Sequence, residues 1–261
     1  MTILRPLHVL SFLPVHWQRA LRDCPVERVR RGMSGAQLFR FRDTRWGELY
    51  LKVADADGVA DLRAEAERTR WLRNAGATVP EILWSDGQVA AVLMTALAGT
   101  HPEQSPQPVA TVIEHLARGL RALHALPLAD CPFDETAAAR LALARRMIAE
   151  DQIDNENFDE RNRGLAPILL YQRLAASVPR PDLTVVHGDA TFDNILIDDG
   201  RVGFIDCGRA GRGDRYLDLE AVTSDIETHF GEEWIEPFAR AYGIKLDAAK
   251  LRFFDDLYEL F

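Results

Sequence analysis

The segment VVHGDATFDNILIDDGRVGFIDCGRAGRGDRYLDLE concentrates the residue types that a phosphoryl transfer requires. Asp189 follows an apolar run, Asn194 stands five positions later, and Asp206 closes a second apolar run. One carboxylate can orient an incoming hydroxyl and accept its proton. An amide oxygen and a second carboxylate can hold Mg²⁺ against nucleotide phosphates, neutralising the leaving diphosphate and keeping the reacting atoms in line. A lone HGD is a common acidic turn. Asp-x₄-Asn followed by an apolar strand, a turn and FID is far more specific than three turn formers. His187 could touch a substrate, but its position below the loop favours a hydrogen-bonded scaffold role.

A counterpart lies upstream. Lys52 sits in the strand-like ELYLKV and Glu65 in the helix-like stretch that follows. A strand lysine can reach the α- and β-phosphates of ATP while a helix glutamate fixes its geometry. Glu67 shares that helix and is an alternative partner, with Glu65 preferred. Ahead of the strand, RGMSGAQ offers Gly32, Ser34 and Gly35 as a phosphate-covering turn; it lacks a full GxGxxG, and by itself it would be an ordinary hairpin turn. Tyr50 is two residues before Lys52 and shares its face of the strand. Its ring could pack near a purine, and core packing is an equal alternative.

These groups need elements to carry them. VERVRRG, QLFRFRD, ELYLKVAD and VAAVLMT read as short strands, with DLRAEAERTRWLRNAG as a helix that Gly76 ends. The N-terminal MTILRPLHVLSFLPVHW is interrupted by Arg5, Pro6, His8 and Pro14. It is read as a strand and turn leading to a first helix, with neither a cleavage pattern nor a membrane-length span. AGTHPEQSPQP is the best boundary. Beyond it, PVATVIEHLARGLRALHAL carries an apolar helical stripe, and ETAAARLALARRMIAE and LAPILLYQRLAA read as helices around an acidic loop. Short strands LTVVHGD, NILIDD and RVGFIDC follow, then helical stretches from about Asp214, Glu232 and Asp247. The expected fold class is therefore α+β and bilobal, with a small β-rich N-terminal lobe over 1–97, a larger, mainly helical lobe over 98–261, and a cleft between them.

Bulk properties narrow the partners. Among 261 residues, 40 acidic against 31 basic side chains leave a net charge of −9. That excludes a general nucleic-acid binder, which needs a basic face. Cys24, Cys131 and Cys207 are too few and too scattered for a disulfide framework or a zinc site, and are read as reduced thiols of a cytoplasmic protein.

HGDATFDN, GFIDCGRAGRGDRYLDLE, the CPFD after RALHAL and the GLAP after the acidic loop resemble the aminoglycoside 3′-phosphotransferases, or kanamycin kinases, over about Gly32 to Phe261. The resemblance implies a protein-kinase-like fold, ATP with Mg²⁺, and transfer to the 3′-hydroxyl of kanamycin- or neomycin-type antibiotics, which confers resistance. It assigns catalysis to Asp189, the metal to Asn194 and Asp206, and the nucleotide to Ser34, Tyr50, Lys52, Glu65 and the interlobe backbone around Thr95 to Leu97. Arg209 matches a position that holds the active-site loop and phosphates or substrate. The polycationic acceptor is expected on carboxylates that pair with its ammonium groups: Asp159 and Glu160 of DQIDNENFDERN, and Glu259 with the terminal carboxylate of Phe261. Asp225 is retained beside Ser224, which replaces a helix arginine of the family. Asn157 and Tyr258 likewise stand where the family has acidic side chains. A monomer or weak dimer without membrane or nucleic-acid partners is expected. A choline- or ethanolamine-type kinase would share the Asp…Asn…Asp set but favour an aromatic cage for its quaternary ammonium. A protein kinase would need the full Gly-rich loop and an APE-like segment. A non-enzymatic nucleotide-binding module would be expected to have lost Lys52, Asp189, Asn194 or Asp206.

Overall fold

The structure, a computed structural model, describes residues 9–29, 36–54, 59–86 and 91–261. The chain divides into two compact units, Met1–Ala98 with Ile205–Gly208, and Gly99–Phe204 with Arg209–Phe261. From the sequence alone, Ile205–Gly208 reads as part of the second region. In the fold it belongs to the first unit, and Asp206 with it.

In the first unit, α1 (Val15–Leu21) leads into β1 (Val26–Val29), β2 (Gln37–Thr44) and β3 (Gly47–Val53), followed by α2 (Val59–Ala75), β4 (Ile82–Asp86) and β5 (Ala91–Thr95). The strands form one antiparallel sheet in the order β1-β2-β3-β5-β4. Alternation along β3 buries Leu49, Leu51 and Val53 on one face and leaves Tyr50 and Lys52 on the other. The buried face packs with Phe39, Phe41, Leu93, Leu21 and Trp17. Burying each such side chain contributes roughly 1.5–3 kcal/mol, so this face holds the sheet that presents Lys52. Helix α2 ends at Gly76, whose φ of +102° takes the chain out of the helix at no side-chain cost.

Three elements differ from the sequence expectation. The first is Gly211–Asp214, whose GRGD has no apolar alternation yet pairs through its backbone with Leu183–Val186, so that the helix expected from about Asp214 begins at Tyr216. Strand β4 is not expected from EILWSD, because its pairing with β5 shifts between Ile82 and Trp84 and so breaks the alternation that marks a strand. At the N-terminus, Val9 and Leu10 are buried and helical, and the strand expected before them lies outside the described residues.

The second unit contains α3 (Val109–His124), α4 (Ala137–Ala149), α5 (Pro167–Ala175), β6 (Leu183–Val186), β7 (Ile195–Asp198), β8 (Arg201–Phe204), β9 (Gly211–Asp214), α6 (Tyr216–Phe230), α7 (Ile235–Tyr242) and α8 (Ala248–Tyr258). Val112, Ile113, Leu116, Leu120 and Leu123 form the buried stripe of α3. Strands β6 and β9 pair antiparallel, as do β7 and β8, so the segment carrying Asp189 and Asn194 spans the gap between two short ribbons. Asp247 caps α8, accepting from the Ala249 and Lys250 amides. Among the described residues, no helix is long and apolar enough to cross a membrane.

Candidate active site

In the first unit, Lys52 Nζ lies 2.7 Å from Glu65 Oε1 and 3.2 Å from Asp206 Oδ1. Glu65 is buried, whereas Glu67 points outward and pairs with Arg63 at 3.0 Å. The two glutamates are two residues apart on α2, about 200° around the helix, so only one of them can face the sheet. Burial works to lower the Lys52 pKa, but Glu65 and Asp206 outweigh it and hold the ammonium above its ordinary value. Lys52 is thus a fixed cation. Asp206 adopts a left-handed φ of +58°, a strained choice for a non-glycine residue that its neighbours must maintain.

Tyr50 shares a strand with Lys52, and Thr95 lies on the neighbouring strand opposite Leu49. Tyr50 packs against the cluster of Leu62, Ala66, Val92 and Met94. Thr95 is engaged within the sheet: its amide donates to the Glu81 carbonyl at 3.0 Å and its hydroxyl accepts from the Glu81 amide at 2.9 Å. The Ala96 amide donates to the Glu48 carbonyl, so recognition at Thr95–Leu97 would fall to the remaining backbone groups. Ser34, with Gly32 and Gly35, lies outside the described residues.

In the second unit, the Asp189 carboxylate receives two hydrogen bonds. Asn194 Nδ2 donates to Oδ2 at 3.1 Å and also to the Asp189 carbonyl at 2.9 Å, while the Tyr258 hydroxyl donates to Oδ1 at 2.8 Å. The Asn194 amide nitrogen is thereby turned toward Asp189, which directs its oxygen away. An amide oxygen and the exposed carboxylate of Asp206 are hard oxygen donors. That donor chemistry fits Mg²⁺, which takes few protein oxygens and completes its shell with water and phosphate.

The scaffold beneath Asp189 was only partly legible from sequence. Asp218 is fully buried on α6 and accepts the His187 and Gly188 amides, each at 2.7 Å, and His124 Nε2 at 2.9 Å. Burial pushes its carboxyl up, yet these donors and the nearby His187 ring hold it below its usual value. His187 itself is fully buried, its ring tilted against Phe204, in keeping with a scaffold position. Arg140, also buried, donates to the Gly188 carbonyl at 2.8 Å and lies 3.2 Å from Glu135. Sequence reasoning missed Arg140 because a helical arginine among alanines resembles any solvated position. The second acid in GDRYLD was a signal for Asp218, and His124 was the buried partner to seek.

The residues expected to meet a polycation have varied placements. Asp159 and Glu160 are exposed, with Asp159 3.5 Å from Arg161, and Arg161 also pairs closely with Asp255. Glu259 accepts from Asn162 Nδ2 at 2.8 Å, and Asn162 also donates to Asp256 at 2.8 Å, tying the acidic loop to α8. Burial, with Asp159 and Asp256 nearby, raises the Glu259 pKa. Arg209 lies over the rings of Tyr258 and Phe261, at 5.9 and 5.5 Å, and Arg140 likewise stands 5.5 Å from the Phe261 ring. Asp225 is bound inward, accepting the Phe192 amide at 2.6 Å, so it anchors the segment that carries Asp189 and Asn194. Glu220 was missed. It is partly buried on α6, and burial, followed by Asp255, Asp225 and Asp159, pushes its carboxyl up to about 8.

Comparison with known proteins gives this geometry a family. The chain is 35% identical over 230 residues to an aminoglycoside 3′-phosphotransferase of Streptomyces fradiae, covering 82% of this chain and 86% of that one. A crystal structure of an aminoglycoside-3′-phosphotransferase of type VIII superposes with a TM-score of 0.81 at 35% identity, over 95% of this chain and 100% of that chain. The aminoglycoside phosphotransferase APH(3″)-Id of Streptomyces rimosus, solved with ADP and streptomycin, gives 0.80 at 29% identity over 99% of both chains. The model of the phosphotransferase enzyme family APH matches residues 26–254, and the chain belongs to that family.

Proposed function

We propose that this phosphotransferase moves the γ-phosphoryl group of ATP onto the 3′-hydroxyl of kanamycin- or neomycin-type aminoglycosides, conferring resistance, and that it acts in the cytoplasm as a monomer or weak dimer. The observation that carries the proposal is the Asp189 carboxylate, held at one oxygen by Asn194 and already accepting a hydroxyl hydrogen bond at the other. In the proposed reaction the acceptor hydroxyl donates to Asp189, its oxygen attacks the γ-phosphorus, its proton passes to Asp189, and the bond to the β-phosphate oxygen breaks to release ADP. Lys52, fixed by Glu65, binds the nucleotide phosphates. Asn194 and Asp206 would hold Mg²⁺, which supplies charge neutralisation on the leaving diphosphate.

The substrate side rests on Asp159, Glu160, Glu259 and the Phe261 carboxylate as partners for ammonium groups. A carboxylate with an ammonium forms a charge-assisted hydrogen bond of about 1.5–3 kcal/mol, so a few contacts on a polyamine give useful affinity. Transfer to the 3″-hydroxyl of streptomycin is a second reading, favoured by the similarity to the Streptomyces rimosus enzyme over nearly the whole of both chains.

The test is coupled ADP release with kanamycin, neomycin, streptomycin and choline, run beside Asp189→Asn. Turnover with the first two and a loss of at least ~10²-fold in the variant are expected, the low end for a positioned general base. Turnover with streptomycin alone would select the second reading. No aminoglycoside-dependent turnover by the wild type would sink the assignment, and full activity in the variant would overturn the role of Asp189.

A further inference from the structure

Tyr258 places an alcohol-like donor on the atom that a substrate alcohol must reach. Its phenol hydroxyl is 2.8 Å from Asp189 Oδ1, and Asn194 occupies the other carboxylate oxygen at 3.1 Å. An incoming hydroxyl would make the same O–H···O⁻ contact at that distance. An ionised carboxylate at this position could not donate to Asp189, because it has no proton to give. Tyrosine can. Burial and the Asp189 charge both raise the phenol pKa, so it remains a donor throughout the physiological range.

The surrounding packing permits this contact to open. Tyr258 is the last residue of α8 and is 40% exposed, while Leu257 and Leu260 on either side are buried. The ring can therefore rotate away without moving the residues that anchor the C-terminal segment. Phe261 rests between Arg140 and Arg209, each 5.5 Å from its ring, and Arg140 in turn holds the carbonyl of Gly188, next to Asp189.

We propose that Tyr258 is a displaceable cap on Asp189: its hydroxyl occupies the acceptor position until a substrate hydroxyl replaces it, withholding the base from water when no acceptor is bound. This inference rests on the phosphotransfer reading of Asp189. The reaction held in check is hydrolysis. Water would attack the γ-phosphorus and pass its proton to Asp189. The bond to the β-phosphate oxygen would break, giving ADP and inorganic phosphate. Closure of the cap also weakens acceptor binding, since the apparent dissociation constant is the intrinsic one divided by the uncapped fraction.

Tyr258→Phe keeps the ring over Arg209 and removes only the hydroxyl. Acceptor-free ATP hydrolysis should rise, and the acceptor KM should fall, each by about 3- to 10-fold if the capped form dominates in the wild type. Tyr258→Leu, which removes the ring as well, should shift acceptor-free hydrolysis in the same direction. Equal thermal midpoints establish that the variants are folded. Unchanged acceptor-free hydrolysis in both variants, or a Tyr258→Phe enzyme with raised KM and lowered kcat, would overturn the cap in favour of a simple packing or substrate contact. The hydrolysis measurement needs no antibiotic. If the wild type turns over no aminoglycoside, the substrate reading fails while the cap is still decided by phosphate release.

Discussion

Asp218→Asn probes the support beneath the segment that carries Asp189 with almost no change of shape. The wild-type carboxylate accepts three hydrogen bonds, from two consecutive backbone amides at 2.7 Å and from His124 at 2.9 Å. Asparagine offers one accepting oxygen. Its NH₂ must face at least one of these donors, so a buried N–H loses its partner at the foot of Asp189. Each hydrogen bond to a charged group contributes about 1.5–3 kcal/mol. Breaking a buried charged network typically costs about 3–5 kcal/mol. For a chain of this size each kcal/mol lowers Tm by about 2–4 °C, which gives an expected drop of about 6–20 °C.

The pH dependence has a definite sign. Because the folded-state pKa of Asp218 is depressed, its contribution is present above the unfolded-state value near ~3.9 and is lost as pH falls through the lower folded value. The gap between wild type and variant should therefore be full at pH 7 and close toward strong acid. Calorimetry from pH 3 to 8, with kcat for the acceptor reaction, measures both effects. A variant within about 2 °C of wild type at pH 7 with unchanged kcat would refute the reasoning, since the measured loss would then be below ~1 kcal/mol.

Lys52→Met should lower kcat/KM for ATP by about 10- to 100-fold through loss of a charged phosphate contact, whereas Glu67→Gln, altering only the exposed pair with Arg63, should stay within about twofold. Initial-rate kinetics on the two variants separate the buried lysine from the exposed pair. Glu220→Gln should raise the unfolding midpoint at pH 9 by several degrees and leave it unchanged at pH 4. The folded carboxyl, pushed up to about 8, carries stability below its unfolded pKa that is lost as pH rises through 8, and the amide does not incur that loss. Equal shifts at both pH values would contradict the burial of this carboxylate.

What can be read from sequence here is what local spacing controls. Asp189, Asn194 and Asp206 stand at strand ends and turns within one short segment, so their types and intervals alone mark them as candidates for phosphoryl transfer. Period-two alternation puts Tyr50 and Lys52 on one face of β3, and the 3.6-residue stripe of α3 announces a buried helix. Strand β4 escaped because its register shift erased that alternation.

Tertiary structure alone decided the partners. Glu65 is preferred in the sequence but Glu67 stays open as its alternative until the packing of α2 on the sheet buries the first and exposes the second. Arg140 reaches Gly188 across 48 residues of chain, and Tyr258 reaches Asp189 across 69. No local pattern encodes such contacts, because they arise from how distant helices pack rather than from the conformational preference of either segment. The candidate reacting groups were therefore legible from residue type and interval, while the side chains that pair with them and hold them became visible only in the folded chain.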